Sequence, residues 1–376
     1  MTRAFLIAGE PSGDRLGAAL MAGLRELAPG IRFAGIGGAG MAAEGLTSLF
    51  PMAELSIMGL VEVLPKYVHL KRRIAETARA VLAEPPDVLI TIDSPDFCLR
   101  VAKAVRAARP TQRVVHYVAP SVWAWRPGRA AKMAPLVDQV LALLPFEPPY
   151  LEAAGMRCDF VGHPVAGEPE ATPEAVAAFC ASHGLGDGPI LTVLPGSRTG
   201  EVARLAPRFG AALHLLALDL PVVVPTLPHL AARLRAETAD WPGALHVIAP
   251  DAAEKRAVFA ASTAALAASG TVSLELAAAH CPMAIAYDVN PLTRMIAARL
   301  LKIDTFTLVN LVSETRAVPE CMGKACTPEN IAKALASVLD DPRAQDAAMA
   351  LTMERLGRGA ERPGLRAARA VLDGLG

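Results

Sequence analysis

Neither charge is in excess in this chain: 37 Lys and Arg stand against 37 Asp and Glu. A nucleic-acid binder usually carries a basic excess or stripe, so nucleic acid is not expected as a partner. Cysteine is sparse. The six residues (98, 158, 180, 281, 321 and 326) show neither a Cys-x-x-Cys spacing nor a His-x₃-His partner, which speaks against a zinc site and for reduced thiols. Long apolar runs are missing too, although 53% of the residues are hydrophobic. The longest uncharged stretch, Ala257 to Leu274, is rich in Ala, Ser and Thr with Gly270, and lacks the Leu, Ile and Phe mass of a membrane span. It reads as a helix, a buried strand and a glycine turn. The apolar N-terminal stretch is too short for a signal peptide, and there is no internal repeat or low-complexity tract. A cytoplasmic protein is expected.

At 376 residues the chain is too long for one ordinary domain. Apolar strand-like runs alternate with helical patterns, so the expected class is α/β, with parallel sheets flanked by helices. Strands read at Ala4–Ala8, Ile31–Gly35, Asp87–Ile92, Gln112–Val118 and Gln139–Leu143, and again at Ile190–Leu194, Pro221–Val224, Ala244–Ile248, Ala264–Ala267 and Met283–Tyr287. Gly162–Val165, followed by the polar, proline-rich 167–173, is the best linker. It gives an N-terminal domain 1–164 and a C-terminal domain 165–344, with a helical segment 345–376 that can pack back on the first. Two doubly wound halves would face each other across a cleft at the carboxyl ends of their strands, where such folds bind ligands.

Three strand-turn-helix junctions hold the residues best suited to chemistry. After Ile190–Leu194 come Pro195, Gly196, Ser197 and Arg198, and a helix opens after Thr199. Backbone N–H groups, the helix dipole and the guanidinium would gather around an anion there, although an ordinary turn with a solvated arginine fits equally well. Ser269, Gly270 and Thr271 repeat this logic after Ala264–Ala267, with Glu275 one turn into the helix. The third junction, Gly9-Glu10-Pro11-Ser12-Gly13-Asp14, follows the first strand; Asp14 suits an N-cap, Glu10 could hold a sugar hydroxyl, and Ser12, Gly13 and Asp14 are candidate substrate contacts.

Asp93, at the end of the largely apolar strand Asp87–Ile92, stands where open sheets carry catalytic side chains, and Asp96 reads as an N-cap. The loop Val118–Arg126 carries two of the three tryptophans, Trp123 and Trp125. Gly35-Ile-Gly-Gly-Ala-Gly40 spells a dinucleotide fingerprint but lacks the long helix that motif requires, and is read as a flexible loop. Ser56–Arg73 holds more apolar residues, among them Ile57, Met58, Leu60, Val61 and Leu64, than one buried face needs, and ends in Lys71-Arg72-Arg73. It fits either a helix pair on the first sheet or contact with an anionic membrane or an acylated substrate.

Taken together, these segments resemble the lipid-A-disaccharide synthase family. The resemblance rests on AGEPSGD (8–14), MGLVEVL (58–64), IDSPDF (92–97), HYVAPSVWAWR (116–126), LPFE (144–147), GHPV (162–165), LPGSR (194–198) with EV (201–202), and ASGTVSLE (268–275), in order over most of the chain. It implies a GT-B glycosyltransferase with two Rossmann-like domains. The reaction implied joins UDP-2,3-diacylglucosamine to 2,3-diacylglucosamine 1-phosphate, forming the β-1,6-linked lipid A disaccharide and UDP.

Carried over by position, the resemblance implies Asp93 as base for the acceptor 6-hydroxyl, Arg198 on the diphosphate and Glu275 on the ribose, with Glu10 and Asn310 close to the substrates. It implies no metal and no cofactor, the inner-membrane surface as a partner through Ile57, Met58, Leu60, Val61 and Leu64, and it leaves room for a homodimer. The chain departs from the family pattern at Cys98, commonly asparagine, and at Gly323, often glutamine. Two other readings remain: a UDP-GlcNAc epimerase on the same fold, and a non-catalytic nucleotide-sugar-binding protein at a membrane.

Overall fold

A computed structural model describes residues 2–55, 63–124, 128–186, 188–289 and 303–375. The chain divides into two compact units, residues 1–167 with 359–376, and residues 168–358. The segment 345–376 is therefore split. Its helix Asp346–Arg355 belongs to the second unit, where the Thr352 hydroxyl donates to the Val309 carbonyl. Only the helix Pro363–Asp373 returns to the first, where the Ala370 carbonyl accepts from Gln139 Nε2.

The first unit is built on six parallel strands, β1 (Arg3–Ala8), β2 (Arg32–Ile36), β3 (Val88–Ile92), β4 (Val114–Tyr117), β5 (Gln139–Ala142) and β6 (Arg157–Phe160), in the order β2-β1-β3-β4-β5-β6. Every residue of β3, β4 and β5 is buried. Helices on both faces of a parallel sheet leave no solvent side, so the strands read as near-continuous apolar runs, broken only by the buried Thr91, His116 and Gln139, instead of alternating. Four helices matter to the site: α1 (Pro11–Leu27), α2 (Ala39–Ala43), α3 (Val63–Ala83) and α4 (Pro95–Ala108).

The second unit repeats the plan with β7 (Leu191–Leu194), β8 (Val222–Pro225), β9 (Leu245–Ile248), β10 (Ala264–Ala268), β11 (Met283–Tyr287) and β12 (Glu320–Met322), in the order β12-β11-β10-β7-β8-β9. Both orders reverse direction beside the unit's first strand, between β1 and β3 in one and between β7 and β10 in the other. A reversal of this kind splays the loops on either side apart and opens a crevice at the carboxyl ends.

All ten expected strands are present, within two residues of where the sequence puts them. The two that it missed, β6 and β12, are edge strands. β6 reads Arg-Cys-Asp-Phe, a polar alternation with Arg157 and Asp159 in an ion pair, and β12 has three residues. Edges are kept short or charged because a bare apolar edge invites pairing with another chain. Among the described residues no helix is long and apolar enough to cross a membrane.

Candidate active site

The strand register places the first unit's candidates side by side. Ala8 pairs with Ile92, and Ile92 with Tyr117, so Glu10, Asp93 and Val118 leave the sheet on three neighbouring strands at the β1/β3 reversal. Glu10 is exposed and stands at the N-cap position of α1, with no capping bond from its side chain. Asp93 is half-buried, and its amide donates to the Tyr117 carbonyl at 2.9 Å.

The backbone there is strained. Asp93 and Ser94 have φ of 49° and 42°, and Val118 has φ of 81°. Left-handed residues other than glycine cost on the order of 1–3 kcal/mol each and cluster at active sites. A β-branched valine is among the least suited to it. The strain sits on both sides of the aspartate that the sequence singles out.

Two expected N-caps are corrected by a common cause. α1 begins at Pro11 and α4 at Pro95, so Asp14 and Asp96 lie inside the first turns. Proline at the first helical position has the required φ and lacks an N–H that would otherwise go unpaired. Asp14 has another partner. Its carboxylate accepts from the amides of Gly38, Gly40 and Met41 at 2.7, 2.8 and 3.0 Å, and the side chain is buried. The glycine-rich stretch 35–40, read as a flexible loop, thus runs from the end of β2 into the start of α2, where a carboxylate from α1 holds it. Of the neighbouring candidates, Gly13 is buried and Ser12 exposed.

In the second unit, a pocket of about 480 Å³ opens at the β7/β10 reversal. Gly196, Ser197, Arg198, Ser269, Gly270, Thr271 and Glu275 all line it, together with Glu201, Thr226, Leu227, Pro250 and Lys255. Gly196 has φ of 123°, which turns the chain sharply out of β7 into the helix Thr199–Leu216. Gly270 has open space where a Cβ would stand and no unusual φ, so the fold does not demand glycine there. A ligand approaching the backbone would.

The anion site differs from expectation in one respect. Two amides at the helix start, those of Ser197 and Arg198, already donate to Glu201 Oε2, at 3.1 and 3.2 Å. The amides of Thr199 and Gly200 have no protein partner among the described residues, but neither residue lines the pocket.

Lys255, from the helix Ala252–Ala261, forms an ion pair with Glu275 inside the pocket. The sequence held no signal for Lys255. In Ala-Glu-Lys-Arg-Ala it reads as one more solvated helix position, and only the fold brings it beside Glu275.

Asn310 does not line this pocket. It is buried, with Nδ2 donating to Thr305 Oγ1 and the Val318 carbonyl and Oδ1 accepting from the Val318 amide. Both departures from the family pattern have local reasons. Gly323 has φ of 59°, where glutamine would be strained, and the Cys98 thiol is fully buried, its pKa pushed up by desolvation. Ile57, Met58, Leu60 and Val61, like Trp125 and Arg126, lie outside the described residues, and for Leu64 only the backbone, within α3, is described. Of the three terminal cations Arg73 is taken up internally, donating to Glu54 and Glu76 and lying over the Phe50 ring.

Comparison with known proteins agrees with this geometry. The family model described as lipid-A-disaccharide synthetase matches residues 4–369. The chain belongs to the lipid-A-disaccharide synthase family. Similar curated members include the lipid-A-disaccharide synthase of Ruegeria pomeroyi, 67% identical over 100% of this chain and 96% of that protein. Another, from Rhodospirillum centenum, is 48% identical over 98% and 94%.

Solved structures give the fold. UDP-GlcNAc 2-epimerase from Neisseria meningitidis aligns with a TM-score of 0.64 at 12% identity, over 100% of this chain and 99% of that one. MurG from Acinetobacter baumannii aligns at 0.57 and 14%, also over 100% and 99%. At such identities the likeness speaks for a two-domain α/β fold of the GT-B type, not for epimerisation. The lipid-A-disaccharide synthase family is a UDP-sugar glycosyltransferase family, and family membership ranks that reading above the epimerase.

Proposed function

We propose that the protein condenses UDP-2,3-diacylglucosamine with 2,3-diacylglucosamine 1-phosphate to form the β-1,6-linked disaccharide 1-phosphate and UDP. The observation that carries this reading is the pocket at the β7/β10 reversal, where a guanidinium, an ammonium, two glycine turns and a carboxylate line one cavity in a chain of this family. In this reading UDP occupies the pocket. Arg198 meets the diphosphate, Lys255 adds a second positive charge, and Glu275 accepts from the ribose hydroxyls. The acceptor 6-oxygen attacks the donor anomeric carbon, the bond from that carbon to the diphosphate oxygen breaks, and the hydroxyl proton passes to Asp93. Negative charge that builds on the leaving diphosphate falls on donors already in place, so the reading assigns no step to a metal or cofactor.

Support for Asp93 as base comes from its place at the sheet reversal and the strained backbone around it; Glu10, one strand away, is assigned to the acceptor. Asp14 and Asn310 are given no ligand contact, because their polar atoms are engaged within the fold. The same reading places the protein at the cytoplasmic surface of the inner membrane, since both substrates carry acyl chains. The apolar stretch through Ile57–Leu64, the exposed Val68 and the exposed Lys71 and Arg72 support it.

The deciding experiment incubates the protein with both acylated substrates and looks by mass spectrometry for a tetraacyl disaccharide monophosphate together with UDP. Its absence alongside conversion of soluble UDP-GlcNAc would replace the reading with the epimerase. Liposome flotation with and without anionic lipid tests the membrane part.

A further inference from the structure

Arg198 is an exposed arginine asked to meet a diphosphate at a fixed place. Its side chain is 78% exposed, and a long cation so placed would ordinarily sample many rotamers. Its neighbour is the opposite case. The Glu201 side chain is only 11% exposed and its carboxylate is held by four donors. Oε2 accepts from the amides of Ser197 and Arg198, while Oε1 accepts from Arg198 Nη1 at 2.8 Å and from the Tyr287 hydroxyl at 3.1 Å.

Tyr287 is itself a fixed post at the end of β11. Its hydroxyl is held above the usual phenol range, by burial first and then by the charge of Glu201. The next residue, Asp288, is gripped from the same helix: Arg204 Nη1 donates to its carbonyl at 3.1 Å and Arg208 Nη1 lies 3.0 Å from Oδ2. Glu201, Arg204 and Arg208 stand at i, i+3 and i+7, one face of the helix Thr199–Leu216. That face is bound to the end of β11, and the guanidinium is tied to that face through Glu201.

From this geometry we infer that Glu201 is a positioning residue for the donor: supported by Tyr287, it holds the Arg198 guanidinium where the diphosphate arrives. The two carboxylate oxygens divide the labour. Oε2 completes a capping box at the helix start, a purely local role, whereas Oε1 links Tyr287 to the ligand-facing arginine. Pre-setting a flexible side chain in its bound geometry strengthens binding by removing the ordering cost from the binding step.

The inference rests on the reading of Arg198 as a diphosphate ligand, and the test separates the two. UDP is titrated calorimetrically into the full-length protein and into Glu201→Gln, Tyr287→Phe, Arg198→Ala and the Arg198→Ala/Glu201→Gln double variant, with thermal unfolding measured for each. Glutamine keeps an oxygen for the two backbone amides and removes the charge that holds arginine. Glu201→Gln should weaken UDP binding and raise donor KM about tenfold with little change in unfolding temperature, and Tyr287→Phe about threefold. In the Arg198→Ala background Glu201→Gln should change UDP affinity less than about twofold, because the group it positions is gone.

An equal loss in both backgrounds assigns Glu201 to capping alone and overturns the proposal. So does wild-type affinity in Glu201→Gln while Arg198→Ala is impaired. If Arg198→Ala itself binds UDP normally, the diphosphate reading falls and the positioning role with it. Should Glu201→Gln fail to fold, Tyr287→Phe in the two backgrounds decides by the same rule.

Discussion

Asp14 Oδ1 accepts from the backbone amides of both Gly38 and Met41, so one carboxylate from α1 fixes the start of α2. Residue type and spacing made Asp14 a substrate candidate, yet its oxygens face three amides of its own chain. Replacing it by alanine leaves those N–H groups without an acceptor in a buried setting, at a cost of about 1–3 kcal/mol, and more where several donors lose a charged partner. Asp14→Ala should therefore destabilise the first unit by about 3 kcal/mol in chemical denaturation while the folded fraction binds UDP as the wild type does. A stable Asp14→Ala protein with impaired UDP binding would return the residue to the ligand.

Asp93 invites the opposite experiment, because its conformation and its chemistry can be separated. A residue at φ of 49° tolerates asparagine better than most. Asp93→Asn should fold like the wild type, keep UDP affinity within a few-fold and lose nearly all disaccharide formation, a fall of 10² or more for removal of a general base. Asp93→Ala should be equally inactive and somewhat less stable. Steady-state rates measured as UDP release check both, and wild-type turnover in either variant removes Asp93 as the base.

The sequence disclosed the folds of the two units and the pocket-lining glycine turns for the same reason. Buried parallel strands such as Val88–Ile92 and Ala264–Ala268 must be almost wholly apolar, and a turn such as Gly196 at φ of 123° favours glycine. What stayed hidden depends on partners far away in the chain. Nothing near Asp14 announces that Gly38 and Met41 will take its carboxylate, and nothing near Lys255 announces Glu275. Likewise Glu201, quoted only as part of a motif, gains meaning from Tyr287, 86 residues further on. Long-range polar pairs leave no periodic trace, whereas burial and turns do.

Lys255 is the cation of the pocket that sequence reasoning missed, and its contribution is measurable. About a third of its side chain is exposed, so its pairing with Glu275 is partly screened and weak by itself. Facing an anionic ligand it should matter more. Lys255→Met should weaken UDP binding by about 1 kcal/mol, with a shallower dependence on salt than the wild type. Calorimetry at two ionic strengths reads both quantities. Unchanged affinity would leave Lys255 as a partner for Glu275 only.

Glu147 supplies a prediction about pH. Its carboxyl is buried beside the Trp123 loop, accepting from the amides of Leu143 and Leu144 at 3.2 and 3.0 Å and from Trp123 Nε1 at 3.3 Å. Burial pushes its pKa up from 4.5 to about 7, against the lowering pull of those three bonds. Since the folded value lies above the unfolded one, the native state binds more protons between them. Stability from this group is complete below about pH 4.5 and is lost as pH rises through about 7, a span on the order of 3 kcal/mol. Glu147→Gln keeps a neutral acceptor for the two amides and cannot titrate. The decline in stability of the first unit between pH 5 and 8 should be visibly flatter in this variant than in the wild type, as read by denaturant unfolding at several pH values. Parallel curves for the two proteins would mean that Glu147 is ionised throughout and is held by its three donors against burial.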